Sequence, residues 1–390
     1  MATLTACPFC FRKIDSSNLA FQCSGRGNAP CVKDTDEARI KLTGNHAKTF
    51  KTFMPPKGRG GPVARVGPVA ICPECGGEAK RRACPDCHTA LPLDFVGSKN
   101  PTIGLVGSKG SGKTVLMIVL VKQLREVIGR RYDADIRIAT DNPDGQQGLS
   151  TYKENREKPL FTGRTLPQGT SQLASRQYAT PIMLRWRSRK STMLSFVDSA
   201  GEDLNDTETA FTLQYLSVCD SLIVTLDPFA LPGARARLKL PEAATQVDDD
   251  VPLEVVSRIT EILRTEHRIK TNKKINIPVA IVFTKIDAFY PMLDQNNPIM
   301  ATAPAVAAYD NVDGEAVHEH MRALLDEWGA DDIDRHMRQN YDNYRYFAVS
   351  ALGAEPDYGS GQVAAGGVQP HRVEDPVLWL MAKSRTVKSA

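Results

Sequence analysis

The sequence lacks any long hydrophobic run: in 390 residues, no apolar stretch approaches the roughly 20 residues that a membrane-spanning helix needs. Its first ten residues hold two cysteines and no apolar segment of the kind found in signal peptides. Strong net charge is also missing, since 49 Lys and Arg stand against 45 Asp and Glu. We therefore expect a cytoplasmic protein with no membrane span, in which cysteines bind metal rather than form disulfides.

Positive charge is concentrated near the N-terminus. Residues 1–100 carry 15 Lys and Arg against 8 Asp and Glu, and a basic stretch rich in Pro and Gly covers 48–69. Aromatic residues that could stack on bases are few in this part, and zinc sites made of four thiolates would offset much of the charge. We therefore favour docking of a protein here over binding of nucleic acid.

Eight of the nine cysteines lie within the first 90 residues. A C-x-x-C turn presents two thiolates to one ion, and two such turns complete a tetrahedral zinc site. Two structural zinc sites are therefore predicted. One combines the C-P-x-C turns at 72–75 and 84–87, and the other combines the turn at 7–10 with the two single cysteines that follow it. The predicted sets are Cys72, Cys75, Cys84 and Cys87, and then Cys7, Cys10, Cys23 and Cys31. The alternatives for the first set are a redox C-x-x-C or His88 in place of one cysteine, whereas Cys219 is expected to be a buried core thiol.

Residues 107–114 read G-S-K-G-S-G-K-T, which fits the phosphate-binding P-loop pattern. The apolar stretch 101–106 predicts a buried strand before it, and 115–125 predicts a helix after it. This order lets loop N–H groups and the helix N-terminus face a phosphate. Lys113 would reach the terminal phosphates, and the Thr114 hydroxyl would bind Mg²⁺. The predicted nucleotide-binding residues are Gly107, Ser108, Lys109, Gly110, Ser111, Gly112, Lys113 and Thr114.

A D-x-x-G motif, 198–201, follows a predicted hairpin of strands at 180–187 and 192–197. A carboxylate at a strand end, here Asp198, can hold the hydration shell of Mg²⁺. The Gly201 amide can contact a γ-phosphate at a point where any side chain would crowd it. The motif is weak alone, but its place downstream of a P-loop favours a nucleotide site.

A third motif, Thr284-Lys285-Ile286-Asp287, ends the apolar strand 277–283. The Asp287 carboxylate can accept hydrogen bonds from N1–H and the 2-amino group of guanine, donors that adenine lacks at those positions. The Lys285 stem can lie over the base plane. After the last predicted strand, a backbone amide of Ser350, Ala351 or Leu352 can contact the guanine oxygen.

Apolar strands and amphipathic helices alternate after the P-loop, which predicts an α/β fold with a mostly parallel sheet. Further strands are expected at 221–226 and 344–349, and helices at 253–269, 315–328, 333–343 and 376–381. The polar region 137–177 is expected to be a linking region with short helices, and 228–252 a surface loop. We expect a double zinc-ribbon module at 1–98 and a nucleotide-binding domain at 99–390.

Together, the ordered motifs GSKGSGKT, DSAG, TKID and SAL resemble those of the translation-factor-related class of P-loop GTPases, over about 101–385. Joined to N-terminal zinc ribbons, the arrangement is similar to bacterial GTPases proposed to act in conflict or defence systems. This resemblance implies a doubly wound, mostly parallel sheet with one antiparallel hairpin edge. It also implies a Mg²⁺-dependent switch that binds GTP and GDP, hydrolyses GTP slowly without an activating partner, and docks a protein on its zinc module and switch loops.

The resemblance also assigns roles to single residues. Thr170, with Thr165 as second choice, would be the switch threonine that closes on Mg²⁺. Glu202 stands where many relatives have a water-orienting Gln, and Thr284 stands where Asn commonly ties the base loop to the P-loop; we expect that tie to be lost. The implied catalytic residues are Lys113, Thr170, Gly201 and Glu202.

Three alternative functions remain open at this point. The protein could be an ATPase in which the TKID motif is misleading. It could be a scaffold that holds nucleotide without hydrolysing it, or a regulator that binds nucleic acid through the basic stretch 48–69.

Overall fold

The structure is a computed structural model, and it describes residues 4–29, 31–55, 67–108, 110–139, 149–167, 181–188, 190–198, 214–238 and 252–390. The chain divides into two compact units. The first comprises Met1–Thr102, Arg137–Thr151 and Ala174–Val197; the second comprises Ile103–Ile136, Tyr152–Leu173 and Asp198–Ala390. The domain boundary expected between residues 98 and 99 stays a prediction.

The cysteine-rich part of the first unit contains strands of only two or three residues. These strands are β1 Leu4–Ala6, β2 Lys13–Asp15, β3 Ala20–Gln22, β4 Thr52–Phe53, β5 Ala70–Ile71, β6 Glu78–Ala79 and β7 Arg81–Ala83. They form a three-stranded sheet with the order β4-β3-β7 and two antiparallel pairs, β1–β2 and β5–β6. Helix α1, Glu37–Thr43, begins after Asp36, whose side chain accepts a hydrogen bond from the Arg39 N–H, and ends at the left-handed Gly44.

Longer strands build the main sheet. They are β8 Thr102–Gly107, β9 Asp135–Ile138, β10 Ile182–Arg187, β11 Ser191–Asp198, β12 Ser221–Leu226, β13 Val279–Phe283 and β14 Tyr344–Ala348. The strand order is β14-β13-β12-β8-β11-β10-β9. Parallel pairing joins β14 to β13, β13 to β12 and β12 to β8, whereas β10 and β11 form the expected antiparallel hairpin. The hairpin was expected at the edge of the sheet, but β9 forms the edge beyond β10. Every residue of β8, β12 and β13 is buried, as expected for parallel strands covered on both faces.

Helices lie between successive strands of the main sheet and after the last of them. They are α2 Lys113–Gln123, α3 Leu149–Tyr152, α4 Pro252–Glu266, α5 Asn311–Glu327, α6 Asp331–Asn340 and α7 Asp375–Lys383. Helix α2 continues through a π-helical turn, Leu124–Ile128, and helical residues also follow α3 as far as Phe161. The α/β fold with a mixed, mostly parallel sheet confirms the predicted fold class. Among the described helices, none is both long and apolar enough to cross a membrane.

Two predictions about connecting segments were wrong in part. The region 137–177 was expected to be a linking region with short helices, yet its first residues belong to strand β9, which ends at Ile138. The next residue, Ala139, donates a backbone hydrogen bond to Met183 O (2.8 Å). The segment 228–252 was expected to be a loop, yet it begins with helical turns at Pro228–Ala230 and Pro232–Arg235. In both cases the conformation depends on hydrogen-bond partners that local polarity does not reveal.

Candidate functional site

The P-loop lies where strand β8 turns into helix α2. Gly107 is the last residue of β8 and pairs with Thr225 of β12. A Cβ at this position would lie 2.2 Å from Thr225 Oγ1, so only glycine fits. Gly110 and Gly112 both have a left-handed backbone, with φ of +75° and +78°, which a side chain would strain. Helix α2 begins at Lys113, directly after Gly112. The glycine spacing therefore gives the curled loop and helix N-terminus on which phosphate binding depends.

The ammonium group of Lys113 lies inside this loop. Its Nζ donates to the carbonyl oxygens of Gly107 and Ser108, at 2.7 Å each, and the side chain is buried. A buried ammonium held by neutral carbonyls beside a helix N-terminus is positioned to bind an anion, since a phosphate oxygen is a stronger acceptor than a carbonyl. The contact of Lys113 with terminal phosphates stays a prediction.

Strand β12 supports the loop through a side chain that sequence analysis did not single out. Thr225 Oγ1 lies 2.8 Å from the Ser111 hydroxyl and 3.2 Å from the carbonyl oxygen of Val106. Ser111 also donates to Ser108 O across the loop (2.8 Å). Thr225 and Ser111 are fully buried, so these bonds fix the loop shape from beneath. The only sequence signal for Thr225 is a polar residue near the end of an apolar strand.

The base loop after β13 is tied to the P-loop, which corrects one expectation. Thr284 was expected to lose the bond that Asn makes to the P-loop. Instead, its hydroxyl donates to Ser111 O at 2.9 Å, and the side chain is buried. The expectation failed because it considered only an amide as donor, whereas a shorter hydroxyl reaches the same carbonyl. The base loop and the phosphate loop are therefore held in contact.

Lys285 adopts a left-handed backbone, with φ of +55°, and points back toward β12. Its ammonium forms an ion pair with Asp227 and lies 4.9 Å from the centre of the Phe229 ring. Asp227, almost fully buried, also accepts a hydrogen bond from the Phe229 N–H (2.9 Å). Asp227 was not among the predicted site residues, although this residue directly follows the buried parallel strand β12. This contact holds the Lys285 stem in one orientation beside the base loop.

Asp287 and the 350–352 segment come together at the same edge of the sheet. Burial raises the pKa of the Asp287 carboxyl, and a hydrogen-bonding interaction with Ser350 partly opposes that rise. Ser350 is fully buried, and its hydroxyl also accepts a hydrogen bond from the Gly353 N–H (2.7 Å). A half-buried carboxylate held by a serine can accept two hydrogen bonds from a planar ligand. Ala351 and Leu352 follow Ser350 in this segment, and the contact of one of their amides with the guanine oxygen stays a prediction.

The predicted Mg²⁺ and switch residues are described only in part. Thr114 lies in the first turn of α2, and Asp198 ends strand β11, although only the backbone of Asp198 is described. Four predicted site residues lie outside the described part of the chain: Lys109, Thr170, Gly201 and Glu202. The Mg²⁺ ligands and the catalytic roles of these residues stay predictions.

The eight N-terminal cysteines form two tetrads, but not the two that were predicted. The sulfur atoms of Cys7, Cys10, Cys84 and Cys87 lie within 4.8 Å of one another, as do those of Cys23, Cys31, Cys72 and Cys75. We call these the outer and inner tetrads, because the second set lies between the two halves of the first in the sequence. The predicted pairing of the 72–75 turn with the 84–87 turn was wrong.

The antiparallel pairing of β3 with β7 explains this correction. Ala20 pairs with Ala83 and Gln22 pairs with Arg81, so Cys23 and Cys84 extend beyond opposite ends of the ladder. The 84–87 turn therefore meets the N-terminal turn, and the 72–75 turn meets Cys23. Neighbouring turns in the sequence are separated in space because a strand lies between them.

The sulfur spacings fit tetrahedral zinc. Sulfur atoms at the corners of a tetrahedron with Zn–S bonds of about 2.3 Å lie about 3.8 Å apart. Sulfur–sulfur distances are 3.8 Å for Cys7–Cys87 and for Cys10–Cys84, and 3.5 and 3.9 Å for Cys23–Cys75 and Cys31–Cys72. Both tetrads therefore have the donor set and spacing of a structural zinc site.

Neither His88 nor Cys219 belongs to one of the two tetrads. His88, the alternative ligand, places Nδ1 2.8 Å from an Asp36 oxygen. Cys219 is buried, donates to Leu216 O (3.3 Å), and has its pKa raised by burial, as expected of a core thiol.

Comparison with known proteins finds a sequence relative and solved structures with distant similarity. No protein-family profile matches the chain. It is 25% identical over 319 residues to "Putative ESX-1 scaffolding and assembly protein SaeC" of Mycolicibacterium smegmatis, covering 76% of this chain and 78% of that protein.

Two of the similar solved structures are complexes that contain a guanine nucleotide. The signal recognition particle receptor SRb-GTP/SRX complex from Chaetomium thermophilum aligns with 66% of this chain and 93% of its own, at 15% identity and a TM-score of 0.29. Sup35 complexed with GDP aligns with 67% of this chain and 40% of its own, at 12% identity and a TM-score of 0.27. At these scores the fold assignment rests on the topology and P-loop geometry described above.

Proposed function

We propose that this protein is a guanine-nucleotide-dependent switch with a zinc-stabilised module that docks a protein. The observation that carries the proposal is the contact between the two halves of the site. Thr284 ties the base loop to the P-loop, so the Asp287 carboxylate and the Lys113 ammonium belong to one preformed site. A preformed site with a carboxylate at one end and an ammonium at the other suits a nucleoside phosphate.

Each residue has a distinct role in this proposal. The P-loop amides and Lys113 bind the phosphate oxygens, and Asp287 reads N1–H and the 2-amino group of guanine. Thr114 and Asp198 would hold Mg²⁺, which neutralises phosphate charge when bound. For GTP hydrolysis, Lys113 and the Gly201 amide stabilise charge on the γ-phosphate, while Glu202 orients the attacking water. A carboxylate at this place adds negative charge, so we propose that hydrolysis is slow without a partner.

Protein docking has a separate basis. The M. smegmatis relative carries a name that refers to scaffolding and assembly. We propose that nucleotide state here controls the docking of a protein partner on the zinc module and on the predicted switch segments. A non-hydrolysing scaffold is the second candidate, and the same relative favours it. A role in bacterial defence, which rests on the resemblance of motifs, stays a prediction.

Base selection is the sharpest test of guanine binding. Displacement of a fluorescent GDP analogue by GDP and by ADP should show a preference for GDP of about 100-fold or more, because two hydrogen bonds to a charged group are lost with adenine. Asp287→Asn should remove most of this preference. Asp294→Asn, an exposed carboxylate in the next turn, is the matched control. Equal affinity for GDP and ADP in the wild type would refute guanine recognition.

As the pH is lowered, GDP affinity should begin to fall at a higher pH than it would if Asp287 had the pKa of an exposed aspartate. Only ionised Asp287 accepts both hydrogen bonds, and burial raises its pKa above the usual value of 3.8. As the pH falls, this carboxyl is protonated before an exposed aspartate, so affinity declines from a higher pH. A titration of GDP affinity against pH checks this, and the decline should disappear in Asp287→Asn.

Hydrolysis separates the two candidate functions. A switch should release phosphate from GTP over several turnovers, and a candidate partner should raise the rate. A scaffold should retain its nucleotide through purification and show no turnover with or without that partner.

A further inference from the structure

The loop 353–368 leaves residues 350–352, which we call the base segment, and returns to them. The N–H of Ser350 donates to His371 O (3.0 Å), and the N–H of His371 donates to Ser350 O (2.8 Å). One step further along, the Gln369 N–H donates to Leu352 O (2.8 Å). Both ends of the loop are therefore fixed to the segment that carries Ser350, next to Asp287.

The tip of this loop has a defined conformation of its own. The Asp357 carboxylate accepts a hydrogen bond from the Gly359 N–H (2.9 Å). In the backbone, the Gly361 N–H donates to Asp357 O (2.8 Å), and the Asp357 N–H donates to Gln362 O (2.9 Å). Together these bonds close residues 357–362 into a compact turn. A turn fixed in this way holds its side chains in place before any ligand arrives.

A second segment braces the same tip. The Leu166 N–H donates to Gly361 O, and the Val363 N–H donates to Arg164 O, both at 2.8 Å. This two-bond ladder joins the loop to residues 164–166, which include Thr165, the second choice for the switch threonine. The tip is thus supported at the base segment on one side and at residues 164–166 on the other.

Tyr358 is the aromatic side chain of this supported tip. It is half-buried. Burial raises the pKa of its phenol, and the charges of Glu355, Asp287 and Asp227 raise it further. Two of these carboxylates belong to the base end of the site, where Asp227 pairs with Lys285. The loop that carries Tyr358 also begins and ends at the segment beside Asp287, next to the residues that would surround a base.

We propose that Tyr358 is a further nucleoside-binding residue, which places its ring against the purine base or ribose of the bound nucleotide. The inference rests on the proposed function. An aromatic face stacks on any purine, so Tyr358 contributes affinity, while Asp287 contributes the choice of guanine. The rigid tip means that little conformational freedom is lost when the ring makes this contact.

The test compares a ligand that has a nucleoside with one that lacks it. Affinities for GDP and for inorganic pyrophosphate are measured on wild type, Tyr358→Ala, Tyr358→Phe and the same-loop control Gln362→Ala. Tyr358→Ala should weaken GDP binding about tenfold and leave pyrophosphate binding unchanged, because only GDP contacts the ring. Tyr358→Phe and Gln362→Ala should both retain GDP affinity, since the ring is kept in each.

Each other outcome counts against the inference. Unchanged GDP affinity in Tyr358→Ala, with wild type binding GDP normally, overturns it and leaves the proposed function intact. An equal loss of GDP and pyrophosphate binding assigns Tyr358 a structural role only. Wild-type protein that binds no nucleotide overturns both the proposed function and this inference. Tyr358→Trp gives an independent measurement, since energy transfer from a tryptophan at the site to the fluorescent GDP analogue should exceed the wild-type level.

Discussion

The cysteine-rich region and the nucleotide-binding region are stabilised in different ways. Strands near the cysteines have two or three residues, and the two hydrophobic clusters there include the cysteines themselves as core residues. Strands β8, β12 and β13 have five or six residues, all buried. The first region has only short strands and small clusters, so zinc bound by the two tetrads would add to the stability of its fold. The second has an ordinary buried sheet as its core.

This difference teaches where a local pattern is sufficient. In the nucleotide-binding region, the strand, loop and helix of the P-loop are consecutive, so one short pattern specifies the geometry. In the cysteine-rich region, each tetrad draws on turns that are about 50 to 80 residues apart. The ligands could be recognised from the sequence, but their grouping could not.

The largest expected effect concerns this grouping. Structural zinc binding contributes on the order of 10 kcal/mol or more to a small domain, so loss of one ligand should release the ion. Metal analysis of Cys7→Ser/Cys84→Ser should retain one zinc, because both changes lie in the outer tetrad. Cys7→Ser/Cys23→Ser should retain none, because one change lies in each tetrad.

The grouping predicted from the sequence gives the reverse result for these two double variants. Cys219→Ser is the matched control and should keep two zinc ions, since this thiol lies outside both tetrads. Zinc retained in Cys7→Ser/Cys23→Ser and absent from Cys7→Ser/Cys84→Ser would refute the observed grouping.

A smaller effect is expected within the nucleotide-binding region, where the core should survive loss of one ligand contact. Lys113→Ala removes the ammonium from the phosphate end of the site, and a hydrogen bond to a charged group is worth about 1.5–3 kcal/mol. GTP affinity with Mg²⁺ present should fall about 100-fold in a calorimetric titration, since Lys113 would contact more than one phosphate oxygen.

Helix α2 offers its own control for this prediction. Lys122→Ala removes another lysine from the same helix, one paired with Glu126 at 2.7 Å, and should leave GTP affinity unchanged. If Lys113→Ala binds GTP as tightly as wild type, the P-loop assignment fails.

The smallest expected effect tests the tie between the base loop and the P-loop. Thr284→Val keeps the side-chain shape but leaves the buried Ser111 carbonyl without this donor, at a cost of about 1–2 kcal/mol. GDP affinity should fall about tenfold, and Thr284→Asn should restore most of it by supplying an amide donor.

Thr260→Val separates this effect from a general loss of stability. Its buried hydroxyl bonds Val256 O within helix α4 (2.8 Å), away from both loops. This control should lower the melting temperature without changing GDP affinity. Equal effects of the two valine substitutions on GDP affinity would contradict a specific role for the Thr284 tie.

The sequence by itself determined the features that depend on neighbouring residues. The glycine spacing around Lys113, the apolar runs of β12 and β13, and the eight cysteine ligands can all be recognised within short windows. Their physical basis is local: backbone freedom at glycine, burial of apolar residues in parallel strands, and two thiolates on one turn.

Only the tertiary structure decided which distant residues meet. It paired β3 with β7 and so grouped the cysteines. At the C-terminal end of β12, it placed Thr225 under the P-loop and Asp227 beside Lys285. It also folded the loop that carries Tyr358 back against residues 164–166. These contacts depend on strand order and direction, which are set by packing of the whole chain and leave no signal in any single segment.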